Sequence, residues 1–125
     1  MRNTTPSEPV GQSEVIVLGM LKVRGPSMHP TIRTGDLVSV AYGRPPRAGD
    51  VVLVRWAHRP GQLSVKRAVR ADGAGWHVEG DNPFASTDSR ELGPAEVLGV
   101  VRFRVWPRPG RLKRSPWAGG GLELG

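Results

Sequence analysis

Glycine and proline interrupt this chain so often that few segments are long enough to form an ordinary helix. Of its 125 residues, 17 are glycine and 12 are proline, and both residues disrupt helices and favour turns. The segments between them are short and rich in valine and leucine, which favours β-strands. The length corresponds to one domain. We therefore expect an all-β domain, a small barrel or sandwich of short antiparallel strands.

The apolar runs predict six strands separated by turns and polar loops. The run over residues 51–56 is apolar at nearly every position, which is typical of a strand buried on both faces. Residues 71–75 predict a hairpin loop, and residues 80–93 predict a polar loop. We expect one folded domain over residues 14–107, between a flexible segment at 1–13 and a flexible tail at 108–125. The predicted strands are 14–24, 37–41, 51–56, 63–70, 76–79 and 97–106.

The charge and composition exclude several classes of function. The formal net charge is +7, but the basic residues are scattered and no helix-turn-helix, zinc-finger or aromatic stacking pattern accompanies them, so we expect no nucleic-acid binding. The chain has no cysteine, which removes disulfides, thiolate metal sites and a cysteine nucleophile. His29, His58 and His77 lack the spacing of a metal site, so we expect neither a metal nor another cofactor.

The longest apolar run, residues 15–21, is too short to cross a bilayer, which takes about 20 residues as a helix. Glu14 precedes it, and Lys22 and Arg24 follow it, which is not the arrangement of a secretory signal. We expect a protein without a membrane span, located in the cytoplasm.

Ser27 is the first candidate for chemistry. It follows Gly25 and Pro26 directly after the first predicted strand. Proline fixes its own backbone, and glycine permits the close approach of another chain, so this segment could present a hydroxyl at a rigid edge. The alternative is an ordinary turn serine.

Lys66 is the second candidate, one of three lysines in the chain. It stands among apolar residues in a predicted strand, 39 positions after Ser27. Burial would disfavour the ammonium and lower the pKa of Lys66, and a neutral amine is a competent general base. The alternative is a lysine on a solvated strand face.

Four motifs follow one another along the chain: Gly25-Pro26-Ser27-Met28, Lys66-Arg67, Gly80-Asp81-Asn82-Pro83, and Ser86 followed by Asp88-Ser89-Arg90. Taken together and in this order, they resemble those of type I signal peptidases, and the resemblance covers residues 15–106. It implies a signal-peptidase- and LexA-like fold and a serine endopeptidase in which Ser27 is the nucleophile and Lys66 is the general base.

The resemblance also implies supporting roles. Ser86 orients the amine of the catalytic lysine, Asp88 and Arg90 shape the same loop, and Gly25 and Met28 flank the nucleophile. Some relatives carry a hydroxyl at the position of Gly25, so a side-chain oxyanion donor from there is missing here. We expect Ser86→Ala to lower activity, and Ser89→Ala to have little effect.

Two departures from the family point to a substrate. No membrane anchor precedes Ser27, and only 13 residues separate Lys66 from Gly80, so the additional β domain of larger relatives is missing. A minimal member of this kind resembles the maturation proteases of nickel-type superoxide dismutase. The expected partner is therefore a protein with an extended N-terminal propeptide, such as that dismutase precursor.

Four alternatives compete with this interpretation. A signal peptidase would cleave secretory preproteins, and a non-catalytic module would bind peptides on the same fold. A self-cleaving repressor needs a DNA-binding domain, for which the 13 residues before the first predicted strand are too few. A Ser–His–acid triad using His29 would require a tight bend, because this residue is only two positions from Ser27.

Overall fold

A computed structural model describes residues 17–85 and 87–114. Within these ranges the chain forms seven strands and one short helix, so the expected all-β fold class is confirmed. The elements are β1 (Val17–Lys22), β2 (Leu37–Tyr42), β3 (Val51–Trp56), β4 (Arg59–Asp72), β5 (Gly75–Glu79), α1 (Ser89–Leu92), β6 (Glu96–Trp106) and β7 (Gly110–Arg111).

All of these strands belong to one antiparallel sheet. The strand order is β1-β2-β6-β3-β4-β5, and β7 pairs with β6. The late strand β6 therefore lies between β2 and β3 and joins the β1–β2 pair to β3, β4 and β5 in one sheet. Among the described residues, no helix has the length and apolarity needed to cross a membrane.

The core lies on both faces of the sheet, and β3 contributes to each face. Val51 and Leu53 belong to one buried cluster, whereas Val52, Val54 and Trp56 belong to the other. Successive side chains of a strand point to opposite faces, so an uninterrupted apolar strand can serve two clusters at once. The prediction that this strand is buried on both faces is confirmed.

The structure differs from the sequence prediction between β4 and β5 and within the loop that follows. β4 is longer than expected, and its pairing with β5 continues to Asp72 and Gly75, which reduces the predicted hairpin loop to a two-residue turn. The predicted loop 80–93 contains the single turn of helix α1. Four residues are too few to produce a helical pattern of apolar residues in the sequence.

A second difference concerns the predicted tail. Gly110–Arg111 pairs with β6, and the backbone N–H of Leu112 donates to the carbonyl of Arg102 at 2.7 Å. The side chain of Leu112 is buried in the core. The composition of the tail, rich in proline, glycine and arginine, predicts flexibility from residue 108 onwards. The pairing of β7 with β6 and the burial of Leu112 instead fix residues 110–112 on the sheet. Residues 1–13 and 115–125 lie outside the described ranges.

Candidate active site

A cavity of about 450 Å³ opens between the end of β1 and the middle of β4. Residues 21–28 form one side, residues 62–66 form the other, and Ala85 and Thr87 contribute from the loop after β5. Ser27 and Lys66 both line this cavity. The structure thus brings together two residues that lie far apart in the sequence, and Gly25 and Met28 line the same cavity.

Gly25 shapes the segment that carries Ser27. Its φ angle is +81°, a left-handed conformation that glycine adopts without steric cost. No atom lies within 4 Å of the position that a Cβ would take. Gly25 thus supplies the backbone conformation that turns the chain from β1 towards Ser27. The space beside it is open, and the close approach of another chain at this position stays a prediction.

Asn82, in the loop after β5, holds the segment that carries Ser27. Its backbone N–H donates to the carbonyl of Ser27 at 2.8 Å, and its side-chain amide donates to the carbonyl of Pro26 at 3.1 Å. Met28 is fully buried below them, and its sulfur accepts the N–H of Asp81 at 3.4 Å. Two hydrogen bonds and one buried anchor therefore restrain the backbone on either side of the Ser27 hydroxyl.

Lys66 is buried, with 4% of its surface exposed, although its side chain is long and basic. Burial lowers the pKa of Lys66 below the ordinary lysine value of 10.5; the charge of Asp88 acts in the opposite direction, and that of Arg90 lowers the pKa further. Desolvation is the largest of these effects because a low-dielectric interior disfavours the ammonium form. The expected burial and lowered pKa of this lysine are confirmed.

Asp88 organises the loop after β5, which contributes Ala85 and Thr87 to the lining of the cavity. Its carboxylate accepts hydrogen bonds from the side chain of Arg90 at 2.9 and 2.7 Å and from the backbone N–H of Gly80 at 2.9 Å. It also caps α1 by accepting the N–H of Arg90, as an aspartate at a helix N-cap commonly does. The predicted pairing of Asp88 with Arg90 is confirmed. Ser86, the predicted orienting residue, lies outside the described residues.

Ser89 has a structural role that the sequence did not indicate. Its side chain is buried, and its hydroxyl accepts the backbone N–H of Val78 at 2.9 Å. Ser89→Ala would leave this buried donor without its acceptor, which costs stability. The expectation that this substitution has little effect on activity stays a prediction, but the expected loss of stability makes Ser89→Ala an unsuitable control for Ser86→Ala.

Arg67 and Asp81 form a buried ion pair that the sequence motifs did not predict. The guanidinium of Arg67 meets the carboxylate of Asp81 at 3.1 and 2.6 Å and also donates to the carbonyls of Gly49 and Lys113. Thr31 donates to the same carboxylate at 2.6 Å. This network connects the strand of Lys66 to the segments before and after it. The position of Arg67 within an apolar predicted strand is the sequence feature that could have indicated a buried partner.

The three histidines take no part in this cavity. His29 and His58 are exposed, and His77 contacts Glu79, with 2.7 Å between its Nε2 and the carboxylate. None of them lines the cavity. Within residues 17–85 and 87–114, no cluster of three or more histidine, cysteine or acidic residues could hold a metal ion.

Comparison with known proteins identifies proteases across most of the chain. The sequence profile of the family described as Peptidase S24-like matches residues 10–102, a range that includes Ser27 and Lys66. The mitochondrial ATP-independent inner membrane protease subunit 1a of Arabidopsis thaliana is 32% identical over 73% of this chain and 72% of that protein. The mitochondrial inner membrane protease subunit 1 of Mus musculus is 31% identical over 78% of this chain and 76% of its own length.

Proposed function

The chain belongs to the Peptidase S24-like family of signal-peptidase-like proteases, and on this premise we propose that it cleaves a protein substrate with Ser27 as the nucleophile and Lys66 as the general base. One observation carries the proposal: Ser27 lines the same cavity as a buried lysine whose pKa is lowered. Desolvation is one way in which proteins prepare a lysine for base catalysis.

The proposed reaction proceeds in two steps. Neutral Lys66 accepts the hydroxyl proton of Ser27 while the serine oxygen attacks the peptide carbonyl, and the resulting ammonium protonates the departing amine. Water, activated by the amine of Lys66, then hydrolyses the ester on Ser27. The backbone N–H of Ser27 would stabilise the oxyanion, which in comparable sites lowers the barrier by about 3–4 kcal/mol per donor.

The substrate would bind as an extended strand. β1 pairs only with β2, and β4 pairs with β5 only in its second half, from Arg67 onwards. The two edges that border the cavity therefore have free backbone groups, as far as the described residues extend. A peptide strand between them could pair with these edges, which is the strand-addition mode of peptide recognition.

For the substrate itself, we propose a precursor with an extended N-terminal propeptide, and that of a nickel-type superoxide dismutase as the first candidate. The support comes from the resemblance of the Gly-Pro-Ser-Met segment and from the compact β4–β5 hairpin, which replaces the additional domain of larger relatives. Processing would then take place in the cytoplasm. The similarity to inner membrane protease subunits favours a second candidate, a preprotein delivered at a membrane.

The test is to mix the purified protein with each precursor and measure the mass of the product's N-terminus. We expect the dismutase precursor to be trimmed and a secretory preprotein to remain intact, with the protease recovered in the soluble cell fraction. Ser27→Ala and Lys66→Ala should each lower the cleavage rate by several orders of magnitude, because the two groups act as a unit.

The variants also separate the alternatives. A peptide-binding module would keep its function when Ser27 is replaced, and normal cleavage by folded Ser27→Ala would contradict the proposed nucleophile. Cleavage of the preprotein alone, or recovery in washed membranes, would favour the second substrate and leave the proposed chemistry in place.

A further inference from the structure

The exposed charged side chains around the cavity carry the same sign. Among the described residues, they are Lys22 and Arg24 on the β1 side, and no carboxylate lines the cavity. Lys66, the third basic lining residue, is buried and is neutral in the proposed mechanism. An acidic side chain entering this cavity would meet positive charge, and a basic side chain would meet like charge.

Lys22 and Arg24 are available to bind a ligand. Neither forms an ion pair with any carboxylate of the described residues. By contrast, Arg90 is paired with a carboxylate of its own loop. The two exposed cations beside Ser27 thus have no protein charge that balances them at short range within the described part of the chain.

The alternation of β1 fixes the direction of these two side chains. Leu21 packs against the core and Val23 is part of it, while Lys22 and Arg24 between and after them are exposed. Successive side chains of an extended segment point to opposite faces. Lys22 and Arg24 therefore share the solvent face, and the apolar side chains on the other face line the floor of the cavity.

We propose that Lys22 and Arg24 select substrates with acidic side chains at alternate positions near the cleaved bond. This inference rests on the proposed function. A substrate strand paired with β1 places half of its side chains towards the apolar floor formed by Leu21, Val23 and Val65. The intervening side chains face outwards, level with Lys22 and Arg24, at the short distance of cross-strand neighbours.

The expected preference is modest and depends on salt. Exposed ion pairs contribute little individually, so we expect about a 2- to 5-fold higher kcat/KM for glutamate than for glutamine at the favoured positions. Lysine at these positions should be cleaved more slowly than glutamine. Because these charges are exposed to solvent, the preference should largely disappear at about 1 M salt.

The experiment uses the full chain and a library of random decapeptides, with cleavage sites read by mass spectrometry. Peptides based on the best sequence then carry glutamate, glutamine or lysine at each position around the cleaved bond in turn. We expect the charge effect at every second position. Lys22→Glu combined with Arg24→Glu should reverse the preference, so that lysine peptides are cleaved faster than glutamate peptides.

Arg70→Glu is the matched control, because Arg70 is an exposed arginine of β4 that does not line the cavity. It should retain the wild-type preference at low salt. Equal rates for glutamate, glutamine and lysine peptides in the wild type, or an equal change in Arg70→Glu and the double variant, would overturn this inference and leave the proposed protease intact. Cleavage of no peptide and no precursor would overturn both.

Discussion

Among single residues, Lys66 combines two requirements that oppose each other. A base for Ser27 needs a neutral amine, and burial in β4 lowers the pKa of Lys66 in the direction that supplies one. The same burial removes the ammonium form from water, which costs stability whenever the pH favours that form. The residue proposed as the base is thus expected to reduce the stability of the fold at neutral pH.

We predict that Lys66→Met raises the free energy of unfolding near neutral pH, because methionine is flexible and apolar and has no charge to desolvate. Between the lowered pKa of the folded protein and the ordinary value of 10.5, the unfolded wild type binds more protons, so its stability rises with pH. The advantage of the variant should therefore be largest below the folded-state pKa and shrink as the pH approaches 10.5. Urea unfolding of both proteins at a series of pH values measures this difference, and an advantage that grows with pH would contradict the assignment.

Asn82 is predicted to position Ser27, the proposed nucleophile, without contacting the substrate. Asn82→Ala removes the amide that donates to the carbonyl of Pro26 and the oxygen that accepts the N–H of Phe84. We expect kcat to fall about 10- to 100-fold, as misplacement of a reacting group does, while KM and the melting temperature change little. Asn82→Asp keeps an acceptor for Phe84 but loses the donor, so it should lose as much activity as the alanine variant. Wild-type kcat in both variants would exclude the positioning role.

At the scale of structural elements, two adjacent residues of β4 have different roles: one lines the cavity, and the other forms a buried ion pair. Lys66 lines the cavity, and Arg67 beside it pairs with Asp81 in the loop after β5. That loop in turn holds the segment of Ser27 through Asn82. The ion pair therefore fixes the distance between the strand that carries one proposed catalytic group and the loop that restrains the other.

Asp81→Asn is predicted to destabilise the fold strongly, because it leaves the charge of Arg67 buried without its partner. The two side chains are only 5% and 8% exposed, and removal of one member of a buried pair costs about 3–5 kcal/mol. Arg55→Ala is the control, since the Arg55–Glu96 pair is 38% and 61% exposed and should contribute less than about 1 kcal/mol. Urea unfolding gives both values. Similar losses in the free energy of unfolding of the two variants would show that the buried pair stabilises the fold no more than the exposed pair does.

The strands could be predicted from the sequence because their signals are local. The apolar run of β3 and the turn residues between the strands are visible without any knowledge of the fold. The helix α1 and the strand β7 could not be predicted in this way. The first is a single turn that depends on capping by Asp88, and the second exists because β6 offers an edge to a glycine- and arginine-rich segment.

In the candidate site, too, some features can be predicted from neighbouring residues, whereas others depend on contacts between residues far apart in the sequence. Ser27 and Lys66 stand out through their immediate neighbours, and the low exposure of Lys66 follows from its apolar strand. The contacts of Asp81 are different, because they join residues such as Thr31, 50 positions away. No local pattern indicates which of the chain's many arginines and carboxylates will meet in the interior.

At the scale of the whole molecule, the sheet order explains how a small domain holds a rigid site. β1 lies at one end of the order, and β4 follows β3 near the other. The central strand β6, together with Leu112 in the core, connects these parts. The carbonyl of Lys113 accepts a hydrogen bond from Arg67, so the segment after β7 also supports the strand of Lys66. Both sides of the cavity are thus fixed by the whole sheet.

The most direct test of the proposed chemistry is the pH dependence of single-turnover cleavage, measured with a peptide from the library as substrate. Since only neutral Lys66 can accept the proton of Ser27, the rate constant should rise with pH and level off, with a midpoint below 10.5. Folded Lys66→Met should be inactive at every pH. A rate constant that does not change with pH, or cleavage by Lys66→Met at the wild-type rate, would contradict the assignment of Lys66 as the base.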